Sequence, residues 1–184
     1  ARRGATLTMD PNVRPSLVPD FAAYTARLSA FLDIVHLVKV SIEDLASLDA
    51  DRAVRATELD EAKTEALVEK YVADFLGRPN CELVIVTFGD EGSRAFTRAG
   101  SASAEIFAPP VFGDTVGAGD TLMAAVLTLL AEQGNLKPGK LAALGDTALA
   151  EMLRFGAVAA GLNCGFVGCH PPVRADVDAV LARN

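Results

Sequence analysis

The chain has 184 residues and 51% hydrophobic content, enough for one well-buried core and no argument for two. Its net charge of −7 mixes 17 basic with 24 acidic residues and leaves no basic stripe, which excludes nucleic acid as the expected partner. The longest apolar stretch, residues 122–131, is broken by Thr128 and too short to span a bilayer, and no charged-then-apolar leader opens the sequence, so a cytoplasmic protein with no membrane partner is expected.

The opening residues, Ala1-Arg2-Arg3-Gly4, resemble the last turn of a helix, with cations at the negative dipole end and a glycine beyond it. A helix body does not precede them, so the chain is expected to be a fragment or to begin inside a larger fold. Extended and helical segments then alternate: strand at 5–9, helix at 20–32, strand at 34–38, helix at about 58–76, strand at 83–88. This order predicts an α/β fold with a mostly parallel central sheet and helices on both faces. A hairpin follows, with strands at 93–97 and 105–107 and a turn near Gly100. The remaining pattern is helical: about 117–133, ended by Gly134, then 141–162, then about 175–183.

Three cysteines cannot all pair, and their scatter fits a reducing compartment. Cys164, Cys169 and His170 are too few for a four-ligand zinc site, and loop thiols are the expected reading.

The sharpest local signal is Gly113-Asp114-Thr115-Val116-Gly117-Ala118-Gly119-Asp120-Thr121, followed at once by an apolar helical pattern. Small residues in a helix's first turn let its amides approach an anion, and the helix dipole favours negative charge there. Asp120 sits where a carboxylate can take a proton from an alcohol beside a phosphate. The alternative is an ordinary tight turn with a dipole-complementing Asp. A dinucleotide fingerprint is excluded by Leu122 at its third glycine position, and a P-loop by the missing Gly-Lys-Ser/Thr ending.

Asp114-Thr115-Val116-Gly117-Ala118-Gly119-Asp120 resembles the Asp-Thr-x-Gly-Ala-Gly-Asp signature of the ribokinase-like, phosphofructokinase B type carbohydrate kinases. The resemblance implies a ribokinase-like fold, an anion hole at Gly117, Ala118 and Gly119, Asp120 as catalytic base, Thr115 beside the nucleotide, and ATP with Mg²⁺ as cofactors. Lys39-Val40-Ser41-Ile42-Glu43-Asp44 resembles the family's Asn-x-x-Glu element, with Ser41 for Asn and Asp44 for Glu. It implies ATP contacts at Lys39 and Ser41 and water-mediated magnesium ordering at Glu43 and Asp44; a capping box from Ser41 to Asp44 accounts for the same spacing without a ligand. Thr87-Phe88-Gly89-Asp90-Glu91-Gly92 resembles the turn lining the family's nucleotide site, implying contacts at Thr87, Gly89 and Gly92, with a plain hairpin turn as the alternative.

Asp10-Pro11-Asn12-Val13-Arg14 resembles the Asp-x-Asn-x-Arg string of fructokinase-like and ketodeoxygluconate-kinase-like members, which implies substrate contacts at Asp10, Asn12 and Arg14; a capped turn with a surface Arg is the alternative. Asn163 and the loop to Cys169 lie where the family closes over adenine and, in some members, binds a monovalent cation such as K⁺. The whole chain, 1–184, is therefore expected to be the C-terminal, ATP-binding and catalytic portion of one ribokinase-like domain. The family's N-terminal strands, β lid and most sugar-discriminating side chains are not in it. The implied activity is phosphorylation of fructose or a related keto-sugar or sugar acid. A nucleoside kinase and a catalytically silent nucleotide-binding module are the alternatives, and association through an exposed sheet edge, as a homodimer for example, is expected.

Overall fold

The computed structural model describes residues 4–49 and 59–183. Arg2, Arg3 and Glu58, where a helix end and a helix start were read, lie outside them. Five strands form one sheet in sequential order: β1 (Thr8–Met9), β2 (Leu37–Ser41), β3 (Leu83–Thr87), β4 (Ser93–Phe96) and β5 (Ser101–Ala104). β1, β2 and β3 pair in parallel; β4 alone runs against the others, since β5 reverses direction again.

The two central strands are buried on both sides because their apolar runs are continuous. Leu37, Leu83 and Ile85 point into one core, with helices α4 (Ala118–Glu132) and α5 (Asp146–Asn163) and the last helix, α6 (Arg174–Leu181). Val38, Val40, Val84 and Val86 point the other way, into a core with α1 (Phe21–Leu32), α2 (Ile42–Leu48) and α3 (Glu61–Gly77). All four valines are fully buried, each contributing on the order of 1.5–3 kcal/mol. Asp20 and Asp60 cap α1 and α3 by accepting from Ala23 N and Lys63 N, as short acceptor side chains do at helix starts.

Several assignments differ from the sequence expectation, among them the first strand, Thr8–Met9 and not 5–9, and the 141–162 helix, which is a 3-10 turn at Leu141–Ala143 followed by α5 from Asp146. The second strand runs over Leu37–Ser41, not 34–38: Ile34 closes the turn after α1 through its amide to Phe31 O, and Lys39 interrupts an apolar pattern that nevertheless continues as strand. The second hairpin strand is Ser101–Ala104, not 105–107. Its serines and alanines carry no strand propensity, and the pairing is imposed by the Thr97 turn, whose Oγ1 accepts from Ala99 N and Gly100 N. A short helix, α2, stands directly after β2 where none was read. No helix among the described residues is long and apolar enough to cross a membrane.

Candidate active site

The glycine turn opens α4. Gly117 is its N-cap in a left-handed conformation at φ 77°, and a β-carbon there would collide with Cys169 Sγ. Ala118 N donates to Thr115 O at 3.1 Å and Thr121 N to Gly117 O at 2.8 Å, which leaves the intervening amides of Gly119 and Asp120 with no acceptor among the described residues. The Asp120 side chain is exposed and makes no hydrogen bond or ion pair with a described residue. The unpaired amides stand at the positive end of a fifteen-residue helix, beside a solvated carboxylate, an arrangement whose electrostatics favour an anion.

The preceding loop is held rigidly. Gly113 N donates to Cys164 O and Asp114 N to Phe166 O, while the Asp114 carboxylate accepts from Val116 N at 2.8 Å and Gly168 N at 2.7 Å. Asn163 is fully buried: its Nδ2 donates to Val116 O and its Oδ1 accepts from His170 N, both at 2.8 Å. Asn163, expected among the ATP contacts, therefore braces the glycine loop with both ends of its amide in use. In the loop expected to close over adenine, the carbonyls of Cys164 and Phe166 accept from Gly113 N and Asp114 N. Asp114 has a positioning role that the motif reading missed; the sequence signal for it was an Asp two residues before Val116, the spacing of an Asx turn.

A cavity of about 450 Å³ leads away from this turn. Thr115, Ala118 and Gly119 line one end, Thr87, Gly89 and Gly92 come from the end of β3, and Ile106, Phe107, Pro109, Phe112, Leu122, Ala160 and Gly161 form a mostly apolar wall. Its size and polar-ended, apolar character suit a nucleotide. The residues following β5, read from the sequence as strand, supply this wall. Cys164 also faces the cavity, its thiol pushed up by burial and by the Asp114 carboxylate.

On the far side of the glycine turn, Lys39 Nζ pairs with Asp10 Oδ2 at 2.7 Å, with side chains 6% and 15% exposed. The same Nζ lies 2.9 Å from where a β-carbon on Gly119 would sit. Lys39 thus joins the loop after β1 to the glycine turn. The Ser41–Asp44 capping box is present: Ser41 N donates to Asp44 Oδ2 and Asp44 N to Ser41 Oγ. The other Asp44 oxygen accepts from Val13 N at 2.6 Å and lies 3.5 Å from Arg14. Asp44 is 2% exposed, so its expected magnesium role is replaced by bracing of the 10–14 loop, and of the two acids only Glu43 is exposed. Asn12, at φ 44°, and Arg14 are exposed on that loop. Among the described residues no group of three or more His, Cys, Asp and Glu side chains converges as a metal site.

The sequence profile of the pfkB family carbohydrate kinases matches residues 1–176. The chain belongs to that family. It is 28% identical over 178 residues to probable fructokinase-3 of Arabidopsis thaliana, covering 96% of this chain and 45% of that protein. It is 30% identical over 124 residues to fructokinase-1 of Zea mays, covering 67% and 34%. The fold matches a fructokinase with bound ATP from Xylella fastidiosa with a TM-score of 0.80 at 22% identity, over 99% of this chain and 53% of that one. It also matches a putative ribokinase II in complex with ATP and Mg²⁺ from E. coli with a TM-score of 0.73 at 18% identity, over 100% and 50%. This pfkB family chain spans about half the length of the curated relatives it matches.

Proposed function

We propose that the chain is the ATP-binding and catalytic portion of a kinase that phosphorylates a hydroxyl of fructose or a related keto-sugar or sugar acid. The observation that carries this reading is the pair of unpaired amides at Gly119 and Asp120 beside the free Asp120 carboxylate, with Gly119 lining a mostly apolar 450 Å³ cavity. The names of the relatives support the acceptor class.

The apolar wall holds the base, with Thr87, Gly89, Gly92 and Thr115 toward the phosphates. The glycine-turn amides and Lys39 stabilise negative charge on the transferring group, and Asp120 accepts the hydroxyl proton as the acceptor oxygen bonds to the γ-phosphorus and the bond to the departing ADP oxygen breaks. Glu43 is the acid with oxygens to offer a hydrated Mg²⁺, which when bound supplies charge neutralisation at the phosphate oxygens. Asp10, with Asn12 and Arg14 beside it, faces the acceptor.

ADP release measured against keto-sugars, sugar acids and nucleosides tests the reading. Little or no sugar-dependent release is expected from this chain alone; in a protein that also carries the N-terminal half present in its relatives such release is expected, and Asp120→Asn should lower it by roughly 10²-fold or more while nucleotide affinity stays within a few-fold. Near-normal turnover by Asp120→Asn would remove the base role. Turnover with nucleosides alone would move the acceptor class, and nucleotide binding without any turnover even in that longer protein would make the chain a silent nucleotide-binding module.

A further inference from the structure

We propose that Lys39 is a cation shared between the acceptor loop and the phosphoryl end of the nucleotide cavity, with Asp10 controlling how much of its charge reaches the phosphate. The inference rests on the kinase reading above. Lys39 stands on β2 opposite Ile85, on the sheet face covered by α4, where a buried ammonium needs a partner. Asp10 Oδ2 is its one hydrogen-bond partner among the described residues, so the other ammonium hydrogens are free to donate. The nitrogen lies against Gly119, whose amide is one of the two unpaired donors of the anion turn. A phosphoryl oxygen accepted by those amides therefore meets the Lys39 ammonium as well, and a triphosphate gains from it what a diphosphate does not.

The second observation is on Asp10. Its Oδ1 is buried and makes no hydrogen bond. A carboxylate oxygen only accepts, so what satisfies it is a donor, and a sugar hydroxyl is one. Donation to Oδ1 draws off carboxylate charge and weakens the hold of Oδ2 on Lys39, which leaves more positive charge for the phosphoryl group. Acceptor and nucleotide then tighten each other's binding, and reciprocity requires the same factor in both directions.

The test is a double-mutant cycle read as the ratio of AMP-PNP to ADP affinity, by calorimetry with Mg²⁺, with thermal unfolding of each variant in parallel. Lys39→Met should lower the ratio about tenfold or more, while Lys39→Arg keeps most of it. Asp10→Asn should raise the ratio when Lys39 is present and leave it unchanged in the Lys39→Met background. An equal rise in both backgrounds would mean simple charge repulsion by Asp10 and overturn the sharing, as would a ratio that Lys39→Met leaves alone. The single variants leave a buried charge unpaired; if they do not fold, the double variant, which removes both charges, should lose the AMP-PNP preference, and keeping it overturns the proposal. D-fructose should tighten AMP-PNP binding by about fivefold or more in the wild type and not in Lys39→Met; no effect on the wild type overturns the acceptor half. A wild-type protein that binds neither ADP nor AMP-PNP would sink the kinase reading itself, a result distinct from normal binding with an unmoved ratio.

Discussion

Cys81 stands two residues before β3 and is 1% exposed. Burial pushes its thiol up from about 9 to about 11, against a smaller opposing pull from Arg98. The protonated thiol is thus the form the fold favours, so its contribution to stability is fully present below about pH 9 and is lost as pH rises to about 11. The difference corresponds to roughly 3 kcal/mol. Urea unfolding at pH 8 and pH 11 should show this loss in the wild type and a flatter profile in Cys81→Ala; an equal fall in both would assign it elsewhere, with Tyr71, pushed up to about 12, the next group in line. Burial also separates the exposed Asp120 from motif residues that act as braces. The resemblance assigns ligand contacts to Asp44 and Asn163 as it does to Asp120, yet both spend their side-chain polar atoms inside the protein; the Ser41–Asp44 capping spacing signalled this locally for Asp44, and nothing local did for Asn163.

Among the elements, α5 decides the shape of the 450 Å³ cavity proposed for the nucleotide. It packs across β4 and β5, and their small residues, Ala95, Ala102 and Ala104, let the helix lie close. At Gly161 the helix touches the segment after β5 so tightly that a β-carbon would collide with Phe107 O. Gly161→Val should therefore displace the wall formed by Phe107 and Pro109, lower ADP affinity about tenfold or more, and cost roughly 1–3 kcal/mol of stability from overpacking. Calorimetry with ADP and a thermal melt check both parts; a variant that is destabilised but binds ADP normally would detach this wall from the nucleotide. From sequence the helix itself was legible, because its apolar period is local. Its neighbour β5 was misplaced because serine and alanine pair there through the turn and the helix behind them, not through their own propensity.

At the scale of the molecule, the sheet has a protected centre and thin edges. β2 and β3 are paired on both sides and buried on both faces, whereas β1 contributes two residues and β5 has a partner on one side only. Native-state hydrogen exchange should place the amides of Leu37–Ser41 and Leu83–Thr87 at the global unfolding limit, with Thr8–Met9 and Ser101–Ala104 exchanging through cheaper local openings. Exchange of β3 amides as fast as those of β5 would contradict a core centred on β2 and β3. The sequence alone determined the alternating strand and helix order, the two-sided burial of the 83–87 run and the glycine turn with Asp120, because periodicity, apolar runs and small-residue motifs act within one or two turns of chain. The tertiary structure decided that Lys39 meets Asp10 across 29 residues and Gly119 beyond that, that Asn163 clasps Val116 across 47, and that Asp44 holds the 10–14 loop. Partners of that kind are chosen by which buried donor faces which buried acceptor once the sheet and helices have closed, and desolvation makes those pairings binding only then.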